Sequence, residues 1–401
     1  MSLPVYKDES KKKNKYWYEF EAGKKPNGKR NVIRKKGFFT EKEAKAAMVK
    51  AESEYYEGTY IDPSKTLFGV YLLDQWLPIK PLAESTKEMY DSYIRNHILG
   101  TMIAETPLAN LTIIMIQDFV QMLKEKKIII GKKTPKETLL SPNTIKKIYS
   151  IINTSLNDAV TMKKLKENPA KKIINKPATQ KTKSTVWNQA QIRKFVESAE
   201  GKSRYSLVFR FTLMTGLRQA EVLGLRWKDV DFEQGVIRIQ QTLTHDGKKL
   251  KDGAKTCSSV RPVKLDVKTL NELIKHYNMQ QLERKQFETK AAEKKAEGKC
   301  YFNGRGYRDH DLVFPTLLGT PCTPRNLSRA YTDLLKNIDV PKITFHELRH
   351  TQATLLLTKN VHPKIVSERL GHSSVKITLD TYSHILPEMQ DAAADCLANV
   401  L

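Results

Sequence analysis

The sequence predicts a multidomain, mainly α-helical protein with small β elements. Three observations lead there. The chain has 401 residues, and at ~150 residues per domain that length suggests two or three domains. Residues 65–175 carry apolar side chains almost continuously at three- and four-residue spacing, the period of helices. Runs rich in aromatic and β-branched residues are short, and they are confined to the first forty residues and a patch near 235–265.

The N-terminal module is placed at 1–62. KYWYEFEAG (15–23) and RNVIRKKGFFT (30–40) read as strands, and KPNGK between them supplies turn residues. Thr40-Glu-Lys-Glu43 is a capping box that opens a helix over EKEAKAAMVKAESEYYEG. The first forty residues hold 12 basic and 4 acidic side chains, a local +8. Such a strand–strand–helix module could lay a basic ribbon into a DNA groove; a solvated basic appendage has the same composition.

A helical domain follows over 65–175. FGVYLLDQWLPI, ESTKEMYDSYIRNHIL, TIIMIQDFVQMLKEKK and SPNTIKKIYSIINTSLNDAV are its helices, with Ser85-Thr86 and Ser141-Pro142 as helix starts. Residues 121–183 contain 16 basic and 4 acidic side chains, a local +12. Pro, Thr and Lys dominate 169–185, which reads as an interdomain linker. A third unit, 186–401, alternates helices with strands at GVIRIQQTLT (235–244) and SVRPVKL (259–265); HDGKKLKDGAKTC between them looks like a hairpin end. The polar helix QQLERKQFETKAAEKKAEGK (280–299) is expected to project into solvent as an insertion.

Composition narrows the function. Lys plus Arg number 69 against 44 Asp plus Glu, a net charge of +25 with pI near 9.6. Hydrophobic content of 40% suffices for ordinary cores. A chain so basic points to a polyanionic partner, nucleic acid before membrane surfaces or acidic proteins. No apolar run approaches the ~20 residues that span a bilayer, and the charged N-terminus has no apolar core behind it to make a secretory signal. Cys257, Cys300, Cys322 and Cys396 are scattered without metal-finger spacing, as expected of reduced thiols in a cytoplasmic protein.

Several residues could carry chemistry. TLMTGLRQAEVLGLRW (212–227) sets Arg218 just inside a helix, with Glu221 one turn later on the same face. Arg218 there is either half of a buried ion pair or a phosphate ligand. Glu221 either orients it or forms a helix-surface pair. ITFHELRHTQATLLL (343–357) puts His346 and Arg349 on one helix face, with His350 expected to point elsewhere. His372 follows a Leu-Gly turn, Tyr382 lies ten residues on, and Lys255 sits near the tip of the expected hairpin. Taken singly, each of these has a bland structural explanation.

Taken together, Arg218, Lys255, His346-x-x-Arg349, His372 and Tyr382, with the strings TGLRQAEVLGLRW, AKTCSSVR, HELRHTQAT and LGHSSVKITLDTYSH, resemble the tyrosine recombinase (integrase) family. The likeness covers roughly 186–385 at motif level. It implies an α+β tyrosine recombinase catalytic domain at 186–401. The helical 65–175 region is similar to that family's core-binding domain in general character, and 1–62 to its arm-type DNA-binding module. The three-part layout looks most like integrases of temperate phages and conjugative transposons.

The chemistry fits the resemblance. Cutting a phosphodiester without a metal concentrates negative charge on two non-bridging oxygens, which two fixed guanidiniums, Arg218 and Arg349, would match. His346 and His372 can add hydrogen bonds, and a histidine can relay the nucleophile's proton. Lys255 would protonate the departing 5′ oxygen, as its counterparts in the family are thought to. Tyr382 would be the nucleophile, giving a 3′-phosphotyrosine link that a second 5′-hydroxyl can reverse without ATP. No Walker motif or two-metal carboxylate cluster is evident, and no cofactor or metal is expected. The resemblance further implies double-stranded DNA attachment sites, a homotetramer on DNA, and as further partners a DNA-bending host factor and an excision factor. It also implies a C-terminal tail (387–401) docking on a neighbouring protomer, the alternative being packing in cis. Competing readings are type IB topoisomerase-like strand relaxation and a catalytically silent DNA-binding regulator.

Overall fold

A computed structural model describes the chain except residues 1–4, 12, 25–28, 58–59, 62–64, 131–134, 181–184, 254–259, 300, 303–305 and 383–401. It divides into two compact units, Met1–Lys181 and Thr182–Leu401.

The first unit holds two hydrophobic cores. In the smaller, strands β1 (Val5–Lys7), β2 (Tyr16–Lys24) and β3 (Arg30–Phe38) form an antiparallel sheet in that order. Strand alternation turns Tyr18, Phe20 and Ala22 inward, where they bury against Met48 and Ala51 of helix α1 (Glu41–Tyr56). The capping box forms: Thr40 Oγ1 accepts from the Glu43 amide at 3.2 Å, and the Glu43 carboxylate accepts from the Thr40 amide at 3.2 Å. Trp17, one residue before Tyr18, takes the opposite face. It stacks on Tyr6 at 4.3 Å, with Arg34 and Lys36 over its ring. The turn expected at KPNGK falls on 25–28, outside the described residues. β1 went unforeseen because three residues are too few to show a period.

The larger core is helical. Phe68–Val70 runs on into wide π-type turns over Tyr71–Trp76 (together α2), and Glu84–Tyr93 into Ile94–Ile98 (α3). A short helix, Met102–Glu105 (α4), precedes α5 (Ile113–Glu125), and α6 spans Pro142–Thr161. Ser141 caps α6 with Pro142 in its first turn. Helix α6 buries Ile145, Ile148, Ile152, Leu156 and Ala159, the i, i+3, i+4 stripe seen in the sequence. Buried Trp76 donates its indole N–H to Asp158 at 2.6 Å, tying α2 to α6.

Three local expectations need correction. Helix α3 begins at Glu84 rather than at Ser85-Thr86, because the Ala83 carbonyl already accepts from the Thr86 and Lys87 amides. A hairpin of β4 (Lys127–Ile130) and β5 (Lys136–Leu139) interrupts the region read as helical; consecutive β-branched isoleucines followed by Gly131 favour strand over helix. The segment 169–173 is core rather than linker. Asn168 caps the Ala170 amide at 2.8 Å, and Ala170 and Ile173 are buried in the helical cluster. Lys171 and Lys172 between these buried residues are exposed, and the chain leaves the core at Ile174, 88% exposed.

The second unit surrounds an aromatic core of Trp187, Phe195, Phe209, Phe211, Tyr331 and Phe345. Its helices are α7 (Gln189–Ala199), α8 (Ser206–Thr215), α9 (Gln219–Gly224), α10 (Val267–Ala296), α11 (Pro324–Leu335), α12 (Phe345–Thr358), α13 (Pro363–Leu370) and α14 (Val375–Tyr382). Strands β6 (Val230–Asp231), β7 (Val236–Ile239) and β10 (Arg261–Lys264) form an antiparallel sheet in the order β10-β7-β6. A separate hairpin pairs β8 (Gln241–Leu243), in the run read as a strand, with β9 (Leu250–Asp252), in the segment read as a hairpin end. Helix α10 does not simply project into solvent. The Gln280 side chain accepts from the Trp227 indole at 2.7 Å and donates to the Leu312 carbonyl at 3.0 Å, and Phe287 is buried among Tyr301, Phe302 and Tyr307. Two isolated docking residues in a polar run leave no periodic signal.

Candidate active site

The site is built where three chain turns meet. Helix α8 ends at Gly216 in the left-handed conformation (φ 68°). A Cβ there would lie 2.6 Å from Gln352 Oε1 and 2.8 Å from a Leu370 methyl, so the turn requires glycine. Its carbonyl accepts from Arg349 Nη1 at 2.7 Å. Two residues on, Arg218 stands at the N-terminus of α9, its Nη1 on Glu221 Oε1 at 2.8 Å and its Nη2 on the Gly371 carbonyl at 3.1 Å.

Glu221, only 3% exposed, joins two arginines. Besides Arg218 it accepts from Arg261 Nη2 at 3.0 Å and Nη1 at 3.2 Å. Burial opposes its charge, but the Arg261 hydrogen bonds and charge, then Arg218, outweigh it and hold the carboxyl below its ordinary range. Arg261 Nε donates to the Arg369 carbonyl at 2.8 Å. The 369–371 turn is therefore pinned by Arg218 at one carbonyl and Arg261 at another. Gly371 lies flat on Arg261: a Cβ there would sit 2.7 Å from Nη1. This turn delivers His372.

Arg349 is buried on α12, and among the described residues its Nη2 has no hydrogen-bond partner. Burial first and the nearby Arg218 charge second push this guanidinium down to about 9, so it still carries its charge at neutral pH. A buried, charged N–H without an acceptor is costly unless an anion completes it. His372 pairs Nδ1 with the Thr378 hydroxyl at 2.8 Å; burial, then Arg349 and Arg218, bring it down to about 4. His346 is exposed along the α12 surface. Enclosure of part of its ring, then the neighbouring His350 and the Arg349 and Arg218 guanidiniums, take it down to about 4 as well. Both rings are neutral at pH 7. Tyr382, at the end of α14, packs in a small satellite core with Ala353, Leu357, Val366 and Leu370. Burial raises its phenol to about 12, with Arg349 pulling the other way.

Arg218, His346, Arg349, His372 and Tyr382 are thus drawn to one place. Lys255 falls on 254–259, outside the described residues, as does the tail at 387–401. Two participants were missed. Arg261 occupies an inward position of β10, a charge where strand alternation demands an apolar side chain, and that was the readable signal. His350 does not point elsewhere: it is four residues from His346, on the same face, with ring centroids 4.9 Å apart. Its Nδ1 lies 2.8 Å from the Tyr382 hydroxyl. Among the described residues, no group of three or more His, Cys, Asp or Glu could hold a metal ion, and no helix is long and apolar enough to cross a membrane. The arrangement sets the Arg218 and Arg349 guanidiniums near a phenol, a group of donors able to take up an anion.

Residues 185–389 match the phage integrase family, and 75–176 match the phage integrase SAM-like domain. The chain is 30% identical to a tyrosine recombinase XerC-like protein of Caldanaerobacter subterraneus subsp. tengcongensis, covering 94% of this chain and 93% of that one. The chain belongs to the phage integrase family of tyrosine recombinases. Within the family it is also 27% identical to the ICEBs1 integrase of Bacillus subtilis, covering 84% of this chain and 83% of the relative. The fold is shared with the Tn1549 transposon integrase solved with transposon right end DNA: TM-score 0.62, 20% identity, 83% of this chain and 99% of that one. It is shared as well with a lambda integrase tetramer bound to a Holliday junction: TM-score 0.53, 18% identity, 95% of each chain. This family's enzymes are DNA strand transferases, and the α-rich, multidomain architecture is that of its integrases.

Proposed function

We propose that this recombinase cuts and rejoins double-stranded DNA at the attachment sites of a mobile element or prophage, with Tyr382 as nucleophile. The observation that carries the assignment is the unsatisfied Nη2 of buried Arg349 beside Arg218 and the Tyr382 phenol. A scissile phosphate seated there would complete the Arg349 hydrogen bonds, and Arg218 would hold its other non-bridging oxygen. These donors are fixed before substrate arrives, Arg349 by the Gly216 carbonyl and Arg218 by Glu221 and Gly371. They therefore stabilise the charge of the pentavalent transition state with little reorganisation. Neutral His346 and His372 donate further hydrogen bonds without repelling the two guanidiniums.

Attack by Tyr382 Oη on phosphorus would form a 3′-phosphotyrosine link and expel the 5′ oxygen, which Lys255 protonates. The link retains the bond energy of the phosphodiester, so a 5′-hydroxyl from a second duplex can reverse it. Two rounds on paired duplexes exchange the strands through a Holliday junction. Such exchange needs four active sites, which supports a homotetramer on DNA. The basic aromatic face of the N-terminal sheet, Trp17 with Arg34 and Lys36, supports an arm-type DNA-binding module in 1–62, and the local +12 over 121–183 supports phosphate contacts from the core-binding region and linker.

A nicked suicide substrate tests the assignment. Wild-type protein is expected to accumulate a covalent DNA adduct, and Tyr382→Phe to form none while still binding the duplex. A Tyr382→Phe variant that still cross-links to DNA would refute it.

A further inference from the structure

The proton on the Tyr382 hydroxyl must leave as the oxygen attacks. The two histidines assigned from the sequence have other neighbours among the described residues: His372 pairs Nδ1 with the Thr378 hydroxyl, and the His346 ring stands edge-on to His350, 4.9 Å between centroids. Among the described residues, the hydrogen-bond partner of Tyr382 Oη is His350 Nδ1, at 2.8 Å, with the two rings tilted 58° at 5.7 Å. A neutral phenol has a proton to donate, and this nitrogen is the acceptor in reach. In the tautomer with Nδ1 bare and Nε2 protonated, the phenol donates to this nitrogen.

We infer that His350 is a catalytic residue, the general base that takes the Tyr382 proton during strand cleavage and returns it during rejoining. The inference rests on the assignment of Tyr382 as nucleophile. In cleavage the Oη–P bond forms and the P–O5′ bond breaks. The tyrosyl proton passes to His350 Nδ1, and the 5′ oxygen takes a separate proton from the acid on the leaving side. The ring that gains charge faces Tyr382 of α14 and, on its own helix, Arg349, His346 and Glu347. Burial first, then repulsion from Arg349, holds the resting ring below the ordinary histidine range; negative charge developing at the phosphate offsets that repulsion when the proton moves.

The experiment compares wild type, His350→Ala and His350→Gln on the nicked suicide substrate, with Tyr382→Phe as the dead control. Duplex binding and melting temperature report folding. A glutamine oxygen can hold the phenol but cannot carry its proton at neutral pH. Both variants are therefore expected to cleave about 10²–10⁴-fold more slowly than wild type while binding the duplex equally. Added imidazole should partly restore His350→Ala. The defect should persist on a substrate whose bridging 5′ oxygen is sulfur, a leaving group that needs no proton. His350→Gln at wild-type rate would reduce His350 to a positioning residue and overturn the inference, as would a defect that vanishes on the sulfur substrate. If wild type formed no adduct at all, the assignment of Tyr382 would fall first and this inference with it.

Discussion

At the scale of single residues, the site gathers three arginines around one carboxylate, Glu221, and so keeps an excess of positive charge. His346 and His372 relieve the crowding by staying uncharged, each at about 4 in the folded chain against ~6.5 in an unfolded one. The folded state thus binds fewer protons than the unfolded state between those values. Stability is complete above about pH 6.5 and is lost as pH falls toward 4. Urea titrations at pH 7.5 and 4.5 should show a lower midpoint at the acid pH, and His372→Gln should flatten that slope. An acid midpoint equal to the neutral one would mean that the rings are not held neutral. The arginines and the tyrosine were legible as a set in the sequence because each has a chemical reason to accompany the others. His350 was not, because the i, i+3 pair that carries the motif is His346–Arg349, and a second histidine at i, i+4 from His346 names no chemistry by itself.

At the scale of elements, one carboxylate ties three of them. Glu221 of α9 holds Arg218 at the start of its own helix and Arg261 of β10, and both arginines hold the turn between α13 and His372. Removing it leaves Arg261, 7% exposed, without its carboxylate. Glu221→Ala should cost about 3–5 kcal/mol of unfolding free energy, the magnitude for breaking a buried pair on one side. The same variant should weaken DNA cleavage more than a surface Glu→Ala of equal stability cost, because the His372 turn loosens. A loss below about 1 kcal/mol, the range of exposed pairs, would show that the network carries nothing. Periodicity revealed α6 and the capping box of α1, where local physics and tertiary packing agree. It failed at β4–β5, where a lysine-rich isoleucine run was absorbed into the preceding helical pattern, and over 280–296 of α10, where the buried side chains are the widely spaced Gln280 and Phe287. It failed again at 169–173, where a polar stretch is anchored by Asn168 rather than by an apolar stripe.

At the scale of the whole molecule, charge dominates. A net +25 over 401 residues is far more than a pocket for one phosphate needs, so most of the excess is available to the DNA backbone. If about 6–10 phosphates are contacted, affinity should fall on the order of 10³–10⁵-fold between 50 and 200 mM salt. Fluorescence anisotropy with a labelled duplex across that range measures it, and a fall of less than about tenfold would contradict a backbone-dominated interface. This excess was readable from composition alone; its division between the N-terminal sheet, the 121–183 region and the catalytic unit was readable only as local sums, since which face each lysine takes depends on packing.

The central claim is that the phenol of Tyr382 becomes bonded to the 3′ phosphate of cleaved DNA. Trapping the covalent intermediate on a suicide substrate, digesting it with protease and nuclease, and sequencing the nucleotide-bearing peptide by mass spectrometry tests this most directly. The account predicts a phosphonucleotide on Tyr382 within the ITLDTYSH segment. A modification on any other residue, with Tyr382 unmodified in the same adduct, would contradict it.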